Sequence, residues 1–466
     1  MEKPEFDAFL KKYPHPHRTF FDRPHFTRRH LFEVVGAGIT GATLVGRATA
    51  AEVSAQASVT TINQAKNVIF ILLAGAPSHT DTFDLKMVNG ITPADFNPAE
   101  VSGLQWPTGL LPKLAGKLPD IAIVRSMRAW ALVHNLAQTW TQIGRNPAAA
   151  LGDIAPNIGS IVAIEKQAER TPGQAFPTFL ALNSPQGVGP GYLPSTYAPF
   201  KTLPAANGLA NTTNPDGAVR LDGRYSLLHS LDDPLRVNSP LGRPLQDMDD
   251  FYKAAKQMTY NPAVDKAFKF TAAESARYGS SPLGNACLVA KQVLDANQGT
   301  RFIQITAGGW DMHQDIYDKV RNPRGNLYVL GGQMDAAVAS LLDDLKSSGL
   351  LAGTMVVMVG EFGRTVGGLS AQNGRDHYLQ QFCMFAGAGI RGGRAIGSTD
   401  ARGAFTADPG WSQKRDIRPE DVEATIYSAL GINWTNIRYD DPFHRGFEYV
   451  PGGSEGVYSP IQELWS

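Results

Sequence analysis

Cysteine is almost absent from this chain. Its 466 residues hold two, Cys287 and Cys383, each in apolar surroundings, so no disulfide framework is implied and both read as small buried hydrophobes. Net charge is absent as well. The 43 basic residues are matched by 43 acidic ones, which removes the electrostatic case for a nucleic-acid partner. Charged side chains are scarce, at 18%, below the usual share in a globular protein. No internal repeat and no low-complexity tract interrupts the chain, which excludes a solenoid. Glycine and proline are what it has in quantity, 47 and 31 residues, and they point to many ordered turns and long loops.

The front of the chain reads as an export signal over residues 1–50. Arg28 and Arg29 form its basic part, Val34 to Val45 is weakly apolar and rich in Gly and Ala, and Ala48-Thr49-Ala50 fits a small-residue cleavage site. The apolar run is too short to span a bilayer, which takes about 20 residues. Paired arginines ahead of a mild apolar run resemble a twin-arginine signal, a route for proteins that fold before export. A periplasmic or secreted protein with no stable membrane span after cleavage is expected. Residues 51–65 are small and polar, a linker, and 66–466 form the folded domain.

Asn67-Val-Ile-Phe-Ile-Leu-Leu73 is a continuous apolar run, the pattern of a strand buried on both faces. Further strands are expected at Ile121–Val124, Thr178–Leu182, Phe302–Thr306, Met355–Val359 and Phe382–Phe385. Helical spacing separates them at Ile154–Gln167, Leu283–Asn297, Leu327–Ser347 and Asp421–Leu430, the last with Pro419 near its start. This alternation predicts an α/β fold with a mostly parallel central sheet and helices on both faces. Residues 183–245 are dense in Gly, Pro, Asn and Ser and read as a loop-rich insertion over the active face.

Polar clusters follow several of these strands, the position where α/β enzymes build their sites. Gly75-Ala-Pro-Ser78-His79-Thr-Asp81 follows the first, and Ser78, His79 and Asp81 are candidates for a metal or an anion; a turn with a capped helix is the plainer alternative. Asp311-Met-His313 follows Phe302–Thr306, and two such residues two apart reach one ion together. Glu361 follows Met355–Val359 and precedes Gly363-Arg364, a placement that suits a carboxylate ligand beside an anion-binding guanidinium; an internal Glu–Arg ion pair is the plainer alternative. Arg375-Asp376-His377 completes a mixed O/N set suited to a divalent ion. His134-Asn135 opens a helix that runs to a glycine stop at Gly144, and a helix N-terminus attracts anions.

Together, in this order, these motifs resemble domain-of-unknown-function family 1501, a sulfatase-like branch of the alkaline phosphatase superfamily. The resemblance runs from about Asn67 to Ile432. It implies an ester hydrolase with an alkaline phosphatase-like fold. One or two divalent ions (Zn, Mn, Mg or Ca) would hold a phosphate or sulfate ester, as a small anionic ester or a sulfated or phosphorylated carbohydrate. Asp311, His313 and His377 match the superfamily's metal-binding positions; Glu361 stands where an Asp followed by His is usual, with Phe362 in the second place. His134 occupies the place of the hydroxyl or thiol nucleophile. His134 is therefore expected as nucleophile, acid–base or extra ligand, Ser78 as substitute nucleophile, and His79 or Asp81 as closing the metal shell. Arg364, Arg375 and Asn135 are expected to hold the anionic group. The same departures leave room for a catalytically degenerate exported protein that binds a carbohydrate or an envelope partner.

Overall fold

A computed structural model describes residues 53–54, 59–184, 188–236 and 243–466 of the chain. The expected export signal, with Arg28 and Arg29, lies outside the described residues.

Eight strands form the central sheet: β1 Asn67–Leu73, β2 Ile121–Arg128, β3 Phe179–Leu182, β4 Phe200–Thr202, β5 Phe302–Ala307, β6 Thr354–Val359, β7 Gln380–Ala386 and β8 Arg394–Ile396. Their order across the sheet is β8-β2-β7-β6-β1-β5-β3-β4. β7 runs antiparallel to both of its neighbours, and every other neighbouring pair is parallel. The sheet is thus mostly parallel, as the alternation of strands and helices predicts.

The sheet is buried on both faces because its strands carry apolar residues at successive positions. Ile69, Ile71, Leu73, Ile303, Ile305, Val356 and Met358 join one core cluster. The residues between them, Val68, Phe70, Leu72, Phe302, Met355 and Val357, join another. The helices α1 His134–Ile143, α2 Ile158–Lys166, α3 Ala218–Arg236, α4 Arg243–Met258, α5 Pro282–Ala296 and α6 Leu327–Ser347 lie between the strands in sequence, and α7 Pro419–Ala429 follows the last of them. α5 and α6 cover the first face, and α2 and α7 the second. Cys287 and Cys383 are buried, unpaired, and divided between the two clusters.

Helix ends follow local chemistry. Asn326 caps α6 by accepting from the Val329 N–H at 3.1 Å, and Pro282 and Pro419 open α5 and α7, where a missing N–H costs nothing. α2 starts at Ile158, four residues later than expected, because Asn157 caps it through the Gly159 N–H at 2.8 Å. The strands expected at Ile121–Val124 and Phe382–Phe385 extend to Arg128 and back to Gln380, where β2 and β7 pair.

Residues 183–245 depart from the loop-rich expectation. They supply the edge strand β4 and the helix α3. The leucine-bearing run 218–236 favours a helix although it contains Gly223 and Pro234, and most of the Gly, Pro and Asn residues of the segment lie outside it. The stretch 51–65, expected as a linker, is tied down at its described positions. Val53–Ser54 pairs with Ile437–Arg438, and the N–H groups of Asn63 and Ala65 donate to the Ser428 and Ala429 carbonyls at 2.9 and 2.8 Å. Among the described residues no helix is long and apolar enough to cross a membrane.

Candidate metal centre

The reversed strand β7 decides what meets at one edge of the sheet. The chain leaves the parallel strands β1, β5 and β6 at their C-terminal ends and turns into Gly75, Asp311 and Glu361. β7 points the other way, so the residues just before its start, including His377, arrive at that same edge. Residues 363–364 and 377–378 pair there antiparallel, with Arg364 opposite His377. β2 ends beside the start of β7 at Arg128, and the following turn delivers α1 with His134 in its first turn.

Four side chains converge there. One ligand atom from each of His134, Asp311, His313 and His377 lies within 4.8 Å of all the others. Asp311 Oδ1 is 3.1 Å from His134 Nε2, 3.0 Å from His313 Nε2 and 3.8 Å from His377 Nε2. The Nε2 atoms of His313 and His377 are 2.9 Å apart. A tetrahedron of bonds near 2.0 Å has edges of about 3.3 Å, within the range of these separations. Phe362, fully buried, packs against the rings of His134 and His377 at 4.8 and 4.6 Å and walls the group on one side.

Each imidazole is held from behind. His134 Nδ1 donates to Glu361 Oε1 at 2.7 Å, His313 Nδ1 to Asp376 Oδ1 at 2.8 Å, and His377 Nδ1 to the Leu132 carbonyl at 2.7 Å. A carboxylate and a carbonyl only accept, so each Nδ1 carries a hydrogen, and in the neutral ring Nε2 presents a lone pair. Arg364 Nη1, a donor, lies 3.3 Å from His313 Nε2, consistent with that lone pair. Outward-donating imidazoles with inward lone pairs are the arrangement that surrounds protein-bound transition metals.

The electrostatics follow from these partners. The hydrogen bond to Glu361 holds the His134 imidazole above its ordinary value, although burial opposes it. Burial pulls His377 below its ordinary value. Burial alone would raise the Asp311 carboxyl; the hydrogen bond and charge of Arg364, 2.6 Å away, outweigh it and hold the group below the usual carboxylate range.

Several residues expected at the site stand elsewhere. Glu361 is one hydrogen bond behind the group. Ser78, His79 and Asp81 are buried, and His79 and Asp81 are not among the four converging residues. Positive φ at Gly75 and Ala76 (108° and 64°) turns the chain after β1. Ser78 Oγ is 3.5 Å from Thr80 Oγ1, His79 Nε2 donates to the Gly403 carbonyl at 2.8 Å, and Asp81 pairs with Arg375 at 2.7 Å and accepts from Tyr317 at 2.8 Å. The expectation that Arg364 or Arg375 grips an anion meets a stoichiometric obstacle, since a guanidinium has five N–H groups. Those of Arg364 face the Gly75, Ala76 and Arg375 carbonyls, Asp311 and His313. Those of Arg375 serve Asp81, Tyr317 and the Thr365 and Gly367 carbonyls. Both side chains are internal struts. Asn135 is exposed at the start of α1.

Asp376, Gln138 and the Leu132 carbonyl take part without having been singled out as site residues. Asp376 had a sequence signal, its place directly before His377. A backbone carbonyl has none.

Fold and site together describe an α/β protein with a candidate metal centre at the carboxyl edge of its sheet. Within that class, the chain belongs to the family described as protein of unknown function (DUF1501), whose profile matches residues 65–442. No curated protein matches it by sequence. Among solved structures it is similar to the lipoteichoic acid synthase LtaP from Listeria monocytogenes, with 11% identity over 86% of this chain and 79% of that one and a TM-score of 0.36. It is also similar to the PsFucS1 sulfatase from Pseudoalteromonas sp., with 11% identity over 79% and 68% and a TM-score of 0.35. A third is the C-terminal periplasmic domain of EcEptC from Escherichia coli, in complex with Zn, with 11% identity over 80% and 84% and a TM-score of 0.37.

Proposed function

We propose that this protein is an exported metal-dependent hydrolase of phosphate or sulfate esters. The observation that carries the reading is the convergence of three imidazole Nε2 lone pairs on one carboxylate oxygen, with every Nδ1 already donating outward. Asp311, His313 and His377 would hold the ion. A donor set of imidazole nitrogens and a carboxylate favours Zn²⁺ or Mn²⁺ over Mg²⁺ or Ca²⁺, which prefer oxygen throughout. Such an ion polarises an ester oxygen and makes bound water acidic.

The protein's own groups prepare that chemistry. Arg364 fixes Asp311 at 2.6 Å and Asp376 fixes His313 at 2.8 Å, so neither ligand has to reorganise. No side chain caps α1, because Val133 occupies the capping position. Its first N–H groups therefore remain for the anionic end of a substrate, with Asn135 beside them. A small anionic ester or a sulfated or phosphorylated carbohydrate fits these requirements. One observation favours a second reading, a binding protein without turnover: a histidine, His134, stands at the start of α1 in place of a hydroxyl or thiol.

Metal analysis of the purified protein, followed by a screen of aryl phosphates and sulfates with and without chelator, tests this. The expected outcome is about one equivalent of Zn or Mn and ester cleavage that chelation abolishes and the ion restores. Protein that binds the ion and leaves every ester intact supports the binding reading. Folded protein that binds no divalent ion removes both. Export is tested separately. Arg28→Lys with Arg29→Lys should leave the protein folded in the cytoplasm, read by cell fractionation; unchanged delivery would count against a twin-arginine route.

A further inference from the structure

We propose that His134 is a metal ligand, and that Glu361 is the positioning residue that aims it; this rests on the metal-dependent reading above. His134 Nε2 is the telling atom. It is shielded from solvent, has no hydrogen-bond partner, and lies 3.1 Å from Asp311 Oδ1. Nδ1 holds a hydrogen, so in the neutral ring Nε2 sets a lone pair against a carboxylate oxygen. Two acceptors at that distance repel unless a proton or a metal cation lies between them. The same holds for His313 and His377, whose Nε2 atoms face each other at 2.9 Å. The side chain is half-buried, but the Nε2 atom itself is shielded and faces the other three, the position of a ligand.

Glu361 makes that orientation permanent. Its Oε1 accepts from the Gly75 N–H at 2.9 Å, His134 Nδ1 at 2.7 Å and Gln138 Nε2 at 3.0 Å. The Gly75 and Gln138 contacts anchor the carboxylate to the turn after β1 and to α1. α1 is itself pinned to the sheet: Gln142 Oε1 accepts from Gln304 Nε2 of β5 at 2.6 Å, inside the core. The ring of His134 therefore cannot swing away from the group without breaking a buried carboxylate contact. The other oxygen, Glu361 Oε2, is buried without a partner, so direct ligation by Oε2 is the competing role.

The test uses the full chain loaded with Co(II), whose visible spectrum reports ligand number, and with Zn(II) under chelator competition. His134→Ala should bind at least about 100-fold more weakly and change the Co(II) spectrum. Glu361→Gln should weaken binding about 10–100-fold while keeping the shape of the wild-type spectrum, because all four ligands remain. Wild-type affinity and spectrum in His134→Ala would overturn the assignment. So would a Glu361→Gln spectrum altered as by loss of a ligand. If either variant fails to fold, histidine nitrogen NMR of the wild-type protein decides: zinc should shift three Nε2 signals, His134's among them, and leave the Nδ1–H signals in place. An unmoved His134 Nε2 overturns the proposal. A wild-type chain that binds no ion fails the functional reading itself, whereas an ion-binding chain indifferent to His134 fails only this inference.

Discussion

Asp311→Asn should empty the site. Asp311 supplies the one anionic atom in the converging group, and that atom is within 3.1 Å of His134 Nε2 and 3.0 Å of His313 Nε2. An asparagine leaves neutral nitrogens around the guanidinium of Arg364, which then repels a cation without opposition. Loss of a carboxylate ligand should exceed the roughly 10–100-fold affinity loss seen when an outer partner is removed, and ester cleavage should fall with metal content. Stability should fall too. Arg364 is almost wholly buried, and Asp311 is the carboxylate paired with it. Stranding a buried charge costs about 3–5 kcal/mol, less where the lost partner was half exposed, as here. Metal analysis and a denaturant titration of the apo protein read the two effects independently. Wild-type metal stoichiometry in the variant would exclude Asp311 from the site.

The second large effect should come from a residue with no side chain. Gly75 has φ 108°, and a Cβ there would meet the Asp311 nitrogen at 2.5 Å and Trp310 backbone atoms at 2.8 Å. Those are backbone atoms that cannot swing aside. Gly75 also donates to Glu361 and accepts from Arg364, so a shift of its peptide reaches both supports of the site. Gly75→Ala combines a forbidden backbone angle with a steric overlap, about 1–3 kcal/mol for each. The expected outcome is a lower denaturation midpoint together with weakened metal binding. Gly90→Ala is the control, since its φ is also positive, at 73°, but nothing stands within 4 Å of its added carbon. If the two variants unfold at the same midpoint, the close approach at Gly75 carries no cost.

The strands of the central sheet were legible because burial on both faces leaves uninterrupted apolar runs, and Leu327–Ser347 because an amphipathic helix writes its period into the sequence. The helix stop at Gly144 was legible for a similar local reason: its φ of 59° suits glycine. The division of labour in the site was not legible. Sequence shows that Arg364 and Arg375 are arginines and not how many of their N–H groups the fold consumes. It shows Glu361 and His134 as a carboxylate and an imidazole, far apart in the chain, and not which of them faces the centre. Ser78, His79 and Asp81 looked like site residues because they follow a strand, yet the turn at Gly75–Ala76 takes them into the interior, and that depends on two backbone angles. α3 was hidden by the composition of its flanks.

The reversed strand has a consequence for how the protein is made. Among the described residues β2 finds its sheet partners in β7 and β8, between Gln380 and Ile396, with one further bridge at Ile417. During synthesis the apolar strand of residues 121–128 waits for more than half of the chain to leave the ribosome, a natural client for a chaperone. His134 waits with it, since His377 is the last of the four to be made. A nascent chain that stops short of residue 377 therefore holds only part of the converging group. The candidate site is thus one of the last parts of the fold to be completed, because its two halves lie at opposite ends of the domain's sequence.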